Sequence, residues 1–229
     1  MIEGLFVDLV KIIFINIILS GDNAVVIALA CRNLPENKKK KAVFWGGFGA
    51  IALRIVLTFV TVWLLQIPYF QIVGGILLLW IAVKLIDGED EGEDLEGSSS
   101  MVQAIRTIIM ADLVMSLDNV IAIAGVAEGN LLLIIIGLAV SIPLIIWCSQ
   151  LLMNLMNRFP ILIVLGAALL GYTAGEMMLN DKVIARFVES KFPLGHIIIP
   201  VALAILVIIT GKLKNKELEK TDKASLERG

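Results

Sequence analysis

The sequence predicts an all-α membrane protein with seven transmembrane helices, built as two inverted three-helix repeats followed by a seventh helix. The first observation behind this prediction is composition, since 59% of the 229 residues are hydrophobic and only 17% are charged. Soluble domains average about 45–50% apolar and about 25% charged residues. The other two observations are a series of long apolar runs and an internal repeat. The net charge of −2 comes with no basic face, which argues against nucleic-acid binding.

Seven apolar runs are long enough to cross a bilayer, which takes about 17–25 residues per helix. Turn-forming residues separate them, such as Asn33-Leu34-Pro35 after the first run and Glu128-Gly129-Asn130 after the fourth. The first run lacks the basic start of a signal peptide, so we predict a retained span. The predicted spans are Leu5–Ala30, Ala42–Leu65, Phe70–Ile86, Met101–Ala127, Leu131–Met153, Ile161–Leu179 and His196–Gly211.

These spans divide the chain into four regions. Residues 1–87 form the first three-helix repeat, and residues 101–180 form the second. Between them, residues 88–100 are rich in Asp, Glu, Gly and Ser, which predicts a flexible, solvated cytoplasmic linker. A weak attraction of divalent cations is the alternative role for this acidic segment. Residues 181–229 supply an outer loop, the seventh helix and a cytoplasmic tail.

The distribution of Lys and Arg predicts the orientation of the chain. Arg32 and the run Lys38–Lys41 lie between the first two spans, and Arg158 and Lys212 fall on the same side if the spans alternate. Cytoplasmic loops carry an excess of these residues. We therefore expect the N-terminus outside the cell and the C-terminus in the cytoplasm.

The internal repeat becomes visible when residues 12–28 are aligned with residues 108–124. Seven positions are identical, and Asn16 aligns with Asp112. Because each repeat holds three spans, the second copy enters the membrane from the opposite side. Inverted repeats of this kind place their ion or substrate site near the midplane, at the interface of the repeats. The identical positions are Ile12, Ile13, Ser20, Asp22, Asn23, Ile27 and Ala28, which match Ile108, Ile109, Ser116, Asp118, Asn119, Ile123 and Ala124.

Each repeat contains the pattern Ser-x-Asp-Asn inside an apolar run. An ionised Asp in the membrane costs about 2.5–3.5 kcal/mol on insertion scales, so two such residues require a reason. Carboxylate, amide and hydroxyl oxygens are ligands that Mg²⁺, Ca²⁺ and Mn²⁺ prefer. We therefore predict one divalent-cation site at the midplane. Its candidate ligands are Ser20, Asp22, Asn23, Asp112, Ser116, Asp118 and Asn119.

The geometry of an ideal helix does not place all of these ligands together. Asn16, Ser20 and Asn23 share one helix face, whereas Asp22 lies off it by about a third of a turn. A local opening at Ser20-Gly21 would turn Asp22 inward and release backbone carbonyls. The second copy has Leu117 at the position of Gly21, so an opening there must arise differently. The alternative interpretation is that these polar residues only hold helices together, as Ser and Asn often do in membranes.

With its two Ser-x-Asp-Asn motifs and seven apolar runs, the chain resembles the TerC family of integral membrane proteins. Within that family it is most similar to the shorter YjbE-like branch, related to the LysE-type transporter group. The resemblance covers the chain from the first span to the last. It implies manganese export across the bacterial cytoplasmic membrane, with an ion site at Asp22, Asn23, Asp118 and Asn119. The residues themselves do not select Mn²⁺ over Ca²⁺, apart from a faint preference if the Met115 sulfur were a ligand.

Two further ionisable residues fall inside predicted spans. Arg54 is either a counter-charge for the acidic site, a gating partner, or a snorkelling or interface-paired residue. Glu176 either takes part in a proton-coupled cycle or lies at the level of the lipid headgroups.

The sequence shows no nucleotide-binding loop, catalytic triad or HExxH motif, so we predict a non-enzymatic secondary transporter. No permanently bound cofactor is expected, and the expected partners are a divalent ion and the bilayer. Assembly with copies of itself or with other membrane proteins is left open. The main rival is an accessory or anchoring subunit that binds proteins through its cytoplasmic loops. An intramembrane hydrolase with paired Asp residues is disfavoured, because each Asp precedes Asn.

Overall fold

In the computed structural model, residues 2–64, 66–87, 97–127, 131–191 and 194–226 are described, and their regular elements are all α-helical. Nine helices are found in these ranges, so the all-α prediction is confirmed. They are α1 Ile2–Leu19, α2 Gly21–Cys31, α3 Glu36–Leu64, α4 Phe70–Asp87, α5 Gly97–Ala127, α6 Leu131–Arg158, α7 Ile161–Asn180, α8 Lys182–Lys191 and α9 Gly195–Leu226.

Several helices differ from their predicted extent. Helix α5 begins at Gly97, inside the predicted linker, helix α6 continues to Arg158, and helix α9 continues to Leu226 through most of the predicted tail. The first predicted span is two helices, α1 and α2, which meet at Ser20. Helix α3 begins before its apolar run and includes the Lys38–Lys41 segment, because Lys is a good helix former and Pro35 precedes the first turn. The predicted outer loop contains the amphipathic helix α8. Of the acidic linker, residues 88–96 lie outside the described part of the structure.

Four helices of the described residues are long and apolar enough to span a membrane, and a fifth span is possible if bent α1 and α2 count as one. The four fall in α3, α6, α7 and α9. Helix α4 is apolar but short, with its apolar part at Phe70–Ile86. Helix α5 carries Arg106, Asp112 and Asp118 within its run. The count of seven spans and the inverted repeat therefore remain predictions.

The two predicted repeats are packed into each other. Helices α1, α2 and α3 all contact α5 and α6, while α4 lies against α7 and α9. The outside of the bundle is strongly apolar, with Phe14, Leu132 and Trp147 each more than 60% exposed. An apolar exterior of this extent is typical of a surface that faces lipid. Phe44, Trp45 and Phe48 form an exposed aromatic cluster near the start of α3, as expected of a membrane–water interface.

Small residues permit the close packing of α7 on α9. Gly171 and Gly175 lie one turn apart on the face of α7 that meets α9. A Cβ atom at Gly175 would lie 2.6 Å from the Pro200 Cα atom, and one at Gly171 would lie 3.0 Å from the Leu203 carbonyl oxygen. Such small-residue pairs, four apart, let helix backbones approach closely within membranes.

We expect Gly175→Ala to destabilise the fold, because its Cβ atom would meet backbone atoms of α9 that cannot move aside. The expected loss in the free energy of unfolding is about 1–3 kcal/mol, the usual cost of overpacking. Gly47→Ala on α3 is the matched control, since a Cβ atom there meets nothing within 4 Å. Thermal unfolding in detergent measures both variants. Equal melting temperatures for the two would contradict the tight α7–α9 contact.

Candidate metal site

The helix break predicted at Ser20-Gly21 is present. Helix α1 ends at Leu19 and α2 begins at Gly21, while Ser20 has φ −102° and ψ 4°. The segments Leu9–Asn16 and Gly21–Cys31 are bent by 45°. The break leaves the Leu19 carbonyl available, and it accepts a hydrogen bond of 3.2 Å from Asn119 Nδ2. Asn119 of the second motif thus provides the donor for a carbonyl group at the break in the first motif. Helix α5 continues through the second motif without interruption.

Arg54 lies at the centre of a buried polar cluster and is only 1% exposed. Its Nη2 atom pairs with Asp112 Oδ1 at 2.5 Å, and its Nε atom donates to Ser116 Oγ at 2.9 Å. Its Nη1 atom donates to Asn16 Oδ1 at 2.9 Å. The guanidinium on α3 therefore connects α1 with α5. A buried charge needs this degree of pairing, because an uncompensated one is strongly destabilising.

The remaining members of the cluster complete its hydrogen bonds. Ser116 Oγ donates to Asp112 Oδ2 at 2.8 Å, so both carboxylate oxygens are engaged. Ser20 Oγ donates to Asn16 Oδ1 at 3.4 Å. Asn16 Nδ2 donates to Ser141 Oγ of α6. The structure thus brings Asn16 and its aligned counterpart Asp112 together, along with Ser20 and Ser116.

Asn23 is different, because neither polar atom of its side chain has a hydrogen-bond partner, although the residue is only 5% exposed. It lines a small cavity of about 10 Å³ together with Arg54, Asp112 and Ala50. This space is about the size of one water molecule. Buried polar groups almost always have a partner, so an amide without one marks a position that a ligand can satisfy.

Of the two motif aspartates, the structure describes the side chain of Asp22 but only the backbone of Asp118. The Asp22 carboxylate is half-buried and accepts the Asn23 backbone N–H at 2.9 Å. The backbone of Asp118 belongs to α5, but its side chain is outside the described part of the structure. The meeting of the two carboxylates therefore stays a prediction.

Three members of the cluster were absent from the predicted ligand set. Asn16 was visible as the aligned counterpart of Asp112, and Arg54 as a charge in the middle of an apolar run. Ser141 gave only a weak signal, a single hydroxyl close to Pro143 in α6. Glu176 is exposed on α7 and lies outside the cluster, and His196 is exposed at the start of α9.

Around the Arg54 guanidinium, the cluster consists of oxygen and amide groups. Among residues whose side chains are described, no three His, Cys, Asp or Glu residues come together in a way that could hold a metal. The described oxygen donors are hydroxyls, carboxamides and the carboxylates of Asp22 and Asp112. Oxygen groups of these kinds are the ligands that hard cations prefer in proteins.

Comparison with known proteins gives a consistent result. The model of the family described as "Integral membrane protein TerC family" matches residues 3–219 of the chain. The chain is 42% identical to "Uncharacterized membrane protein YjbE" of Bacillus subtilis over 93% of its own length and 97% of that protein. It is 24% identical to "UPF0053 inner membrane protein YgdQ" of Escherichia coli, over 89% of the chain and 90% of the relative. No solved structure matches.

The lipid-facing helices with a buried polar cluster define an integral membrane protein. Within that class, the chain belongs to the TerC family, and its similarity to YjbE extends over nearly the whole sequence. The resemblance drawn from the two Ser-x-Asp-Asn motifs is thereby confirmed.

The two motif asparagines provide a matched pair of stability tests. We expect Asn119→Ala to lower the free energy of unfolding by about 1–3 kcal/mol, because the Leu19 carbonyl at the break loses its donor. Asn23→Ala should be close to neutral, since its amide makes no hydrogen bond. Thermal unfolding in detergent compares the two. An equal or larger loss for Asn23→Ala would show that this arrangement is wrong.

Proposed function

We propose that the chain is a secondary transporter that exports divalent cations, Mn²⁺ above all, across the bacterial cytoplasmic membrane. The observation that carries this proposal is the buried polar cluster between the predicted repeats. It unites Asn16 and Ser20 with their aligned partners Asp112 and Ser116. A polar centre shared by the two halves of a membrane protein is typical of transporters.

The proposed architecture has seven spans in two inverted repeats plus a final helix. In this arrangement α1 and α2 form one broken span, and α4 and α5 cross despite the short length of one and the charges of the other. The N-terminus lies outside, and the C-terminus lies in the cytoplasm. Transport proceeds by rocking of one repeat against the other around a fixed site.

The proposed ion site has Asp22 and Asp118 as its charged ligands, with Asn23 and Asn119 beside them. Two carboxylates neutralise a divalent ion, which removes most of the cost of burying them. The unpartnered Asn23 amide supports this proposal, because an ion or its bound water would satisfy it. Ser20, Ser116 and Asp112 belong to the wall of the same site.

The choice of Mn²⁺ rests on the family resemblance more than on ligand chemistry. Oxygen ligands suit Mg²⁺, Ca²⁺ and Mn²⁺ alike. Met115 is buried in the α5 core beside Ser116, where packing alone explains it. The described oxygen groups disfavour a soft-metal site for Zn²⁺ or Cu⁺.

We expect Asp22→Asn and Asp118→Asn each to reduce Mn²⁺ efflux at least about tenfold, equivalent to about 1.4 kcal/mol. The physical reason is that each removes a ligand charge while keeping the shape of the side chain. Intracellular Mn²⁺, Ca²⁺, Mg²⁺ and Zn²⁺ are measured in cells that express each variant, with membrane levels of the protein quantified. Glu36→Gln is the control, because this exposed carboxylate pairs with Lys39 at 2.7 Å, away from the cluster.

The same assay separates transport from the rival role of an accessory subunit. An accessory subunit would tolerate both Asp→Asn changes but lose function when residues 89–96 are deleted. The proposed function would be refuted if cells expressing the two Asp variants held the same intracellular Mn²⁺ as cells expressing the wild type, with equal amounts of protein in the membrane.

A further inference from the structure

The guanidinium of Arg54 uses oxygens that the proposed ion site also requires. It contacts Asp112 Oδ1 at 2.5 Å, Ser116 Oγ at 2.9 Å and Asn16 Oδ1 at 2.9 Å. Asp112 and Ser116 belong to the predicted ligand set, and Asn16 occupies the position in the first repeat that Asp112 has in the second. The positively charged guanidinium of Arg54 thus lies against the wall of the site that we propose for a divalent cation.

Asp112 and Ser116 have little capacity left for a second cation. Both carboxylate oxygens of Asp112 are engaged, one by Arg54 and the other by Ser116. The Ser116 hydroxyl donates to Asp112 and accepts from Arg54. A metal that coordinated these oxygens at bonding distance would also face the guanidinium charge directly. The ion and Arg54 are therefore competitors for this wall.

Release of the guanidinium also requires movement of helices. The cavity beside it, of about 10 Å³, has room for only about one water molecule. Arg54 is on α3, whereas its partners are on α1 and α5. Separation of Arg54 from these partners breaks the buried hydrogen bonds that join α3 to α1 and α5, which belong to different predicted repeats.

We propose that Arg54 is a resident cation that holds the site in its ion-free state and that an entering divalent ion displaces. This inference rests on the proposed function, because it concerns how the same site is filled. Arg54 is thus a positioning residue whose exchange with the ion couples binding to rearrangement of the helices. If the buried ion pair of Arg54 only stabilised the fold, removal of the guanidinium would not increase the affinity for the metal.

The test is a Mn²⁺ titration of the purified full-length protein in detergent, with free Mn²⁺ measured by electron paramagnetic resonance. Arg54→Gln removes the competing charge, so we expect its Mn²⁺ affinity to be at least about tenfold higher than that of the wild type. Arg106→Gln is the matched control, because Arg106 is exposed on α5 about two turns from Asp112. Its affinity should equal that of the wild type.

A second variant keeps the test decisive if Arg54→Gln does not fold. Arg54→Lys retains the charge but lacks the planar fork that binds three partners at once. Because the lysine would hold Asp112 and Ser116 less strongly than Arg54 does, we expect this variant to bind Mn²⁺ several-fold more tightly than the wild type.

The outcomes distinguish the two proposals. If the wild type binds Mn²⁺ and the folded Arg54 variants bind it equally or more weakly, the proposed displacement of Arg54 is wrong, but the proposed function is not affected. Absence of Mn²⁺ binding in every variant would overturn the proposed function itself.

Discussion

The ion pair between Arg54 and Asp112 is the interaction on which the arrangement of the bundle interior depends. A buried guanidinium requires an anion and further acceptors, and these come from α1 and α5. The Arg54 guanidinium thereby joins α3 to α5 through Asp112 and Ser116, and to α1 through Asn16. Arginine suits this position because its planar fork reaches several acceptors at once. The need to satisfy one buried guanidinium thus accounts for the polar centre shared by helices of both predicted repeats.

The two motifs have the same sequence pattern but different local structures. Gly21 weakens the helix at the first motif, and the chain breaks at Ser20. Leu117 at the equivalent position is buried in the core and keeps α5 continuous. The Asn119 side chain then satisfies the carbonyl exposed by the break in the other copy. A sequence repeat has thus produced a complementary pair of elements, one broken and one continuous.

Much of this organisation could be predicted from the sequence, because apolar runs of membrane length and turn residues give strong signals. The apolar helices, the break at Ser20-Gly21 and the alignment of Asn16 with Asp112 in the repeat were all visible there. The partner of Arg54 was not, because a hydrogen bond between α3 and α5 depends on packing that no local pattern records. The helix α8 was missed since ten residues with charges at intervals resemble a loop. The lack of a partner for Asn23, beside a well-bonded Asn119, likewise follows only from tertiary geometry.

The central claim is that a divalent ion binds between the break in the first repeat and α5. Crystals of the full-length protein grown with Mn²⁺, with diffraction data collected at the manganese absorption edge, test it most directly. We expect an anomalous peak beside Asp22 and Asn23, with Asp118 oxygens within coordination distance. A peak confined to surface loops, or none in the bundle while Mn²⁺ is still transported, would contradict it.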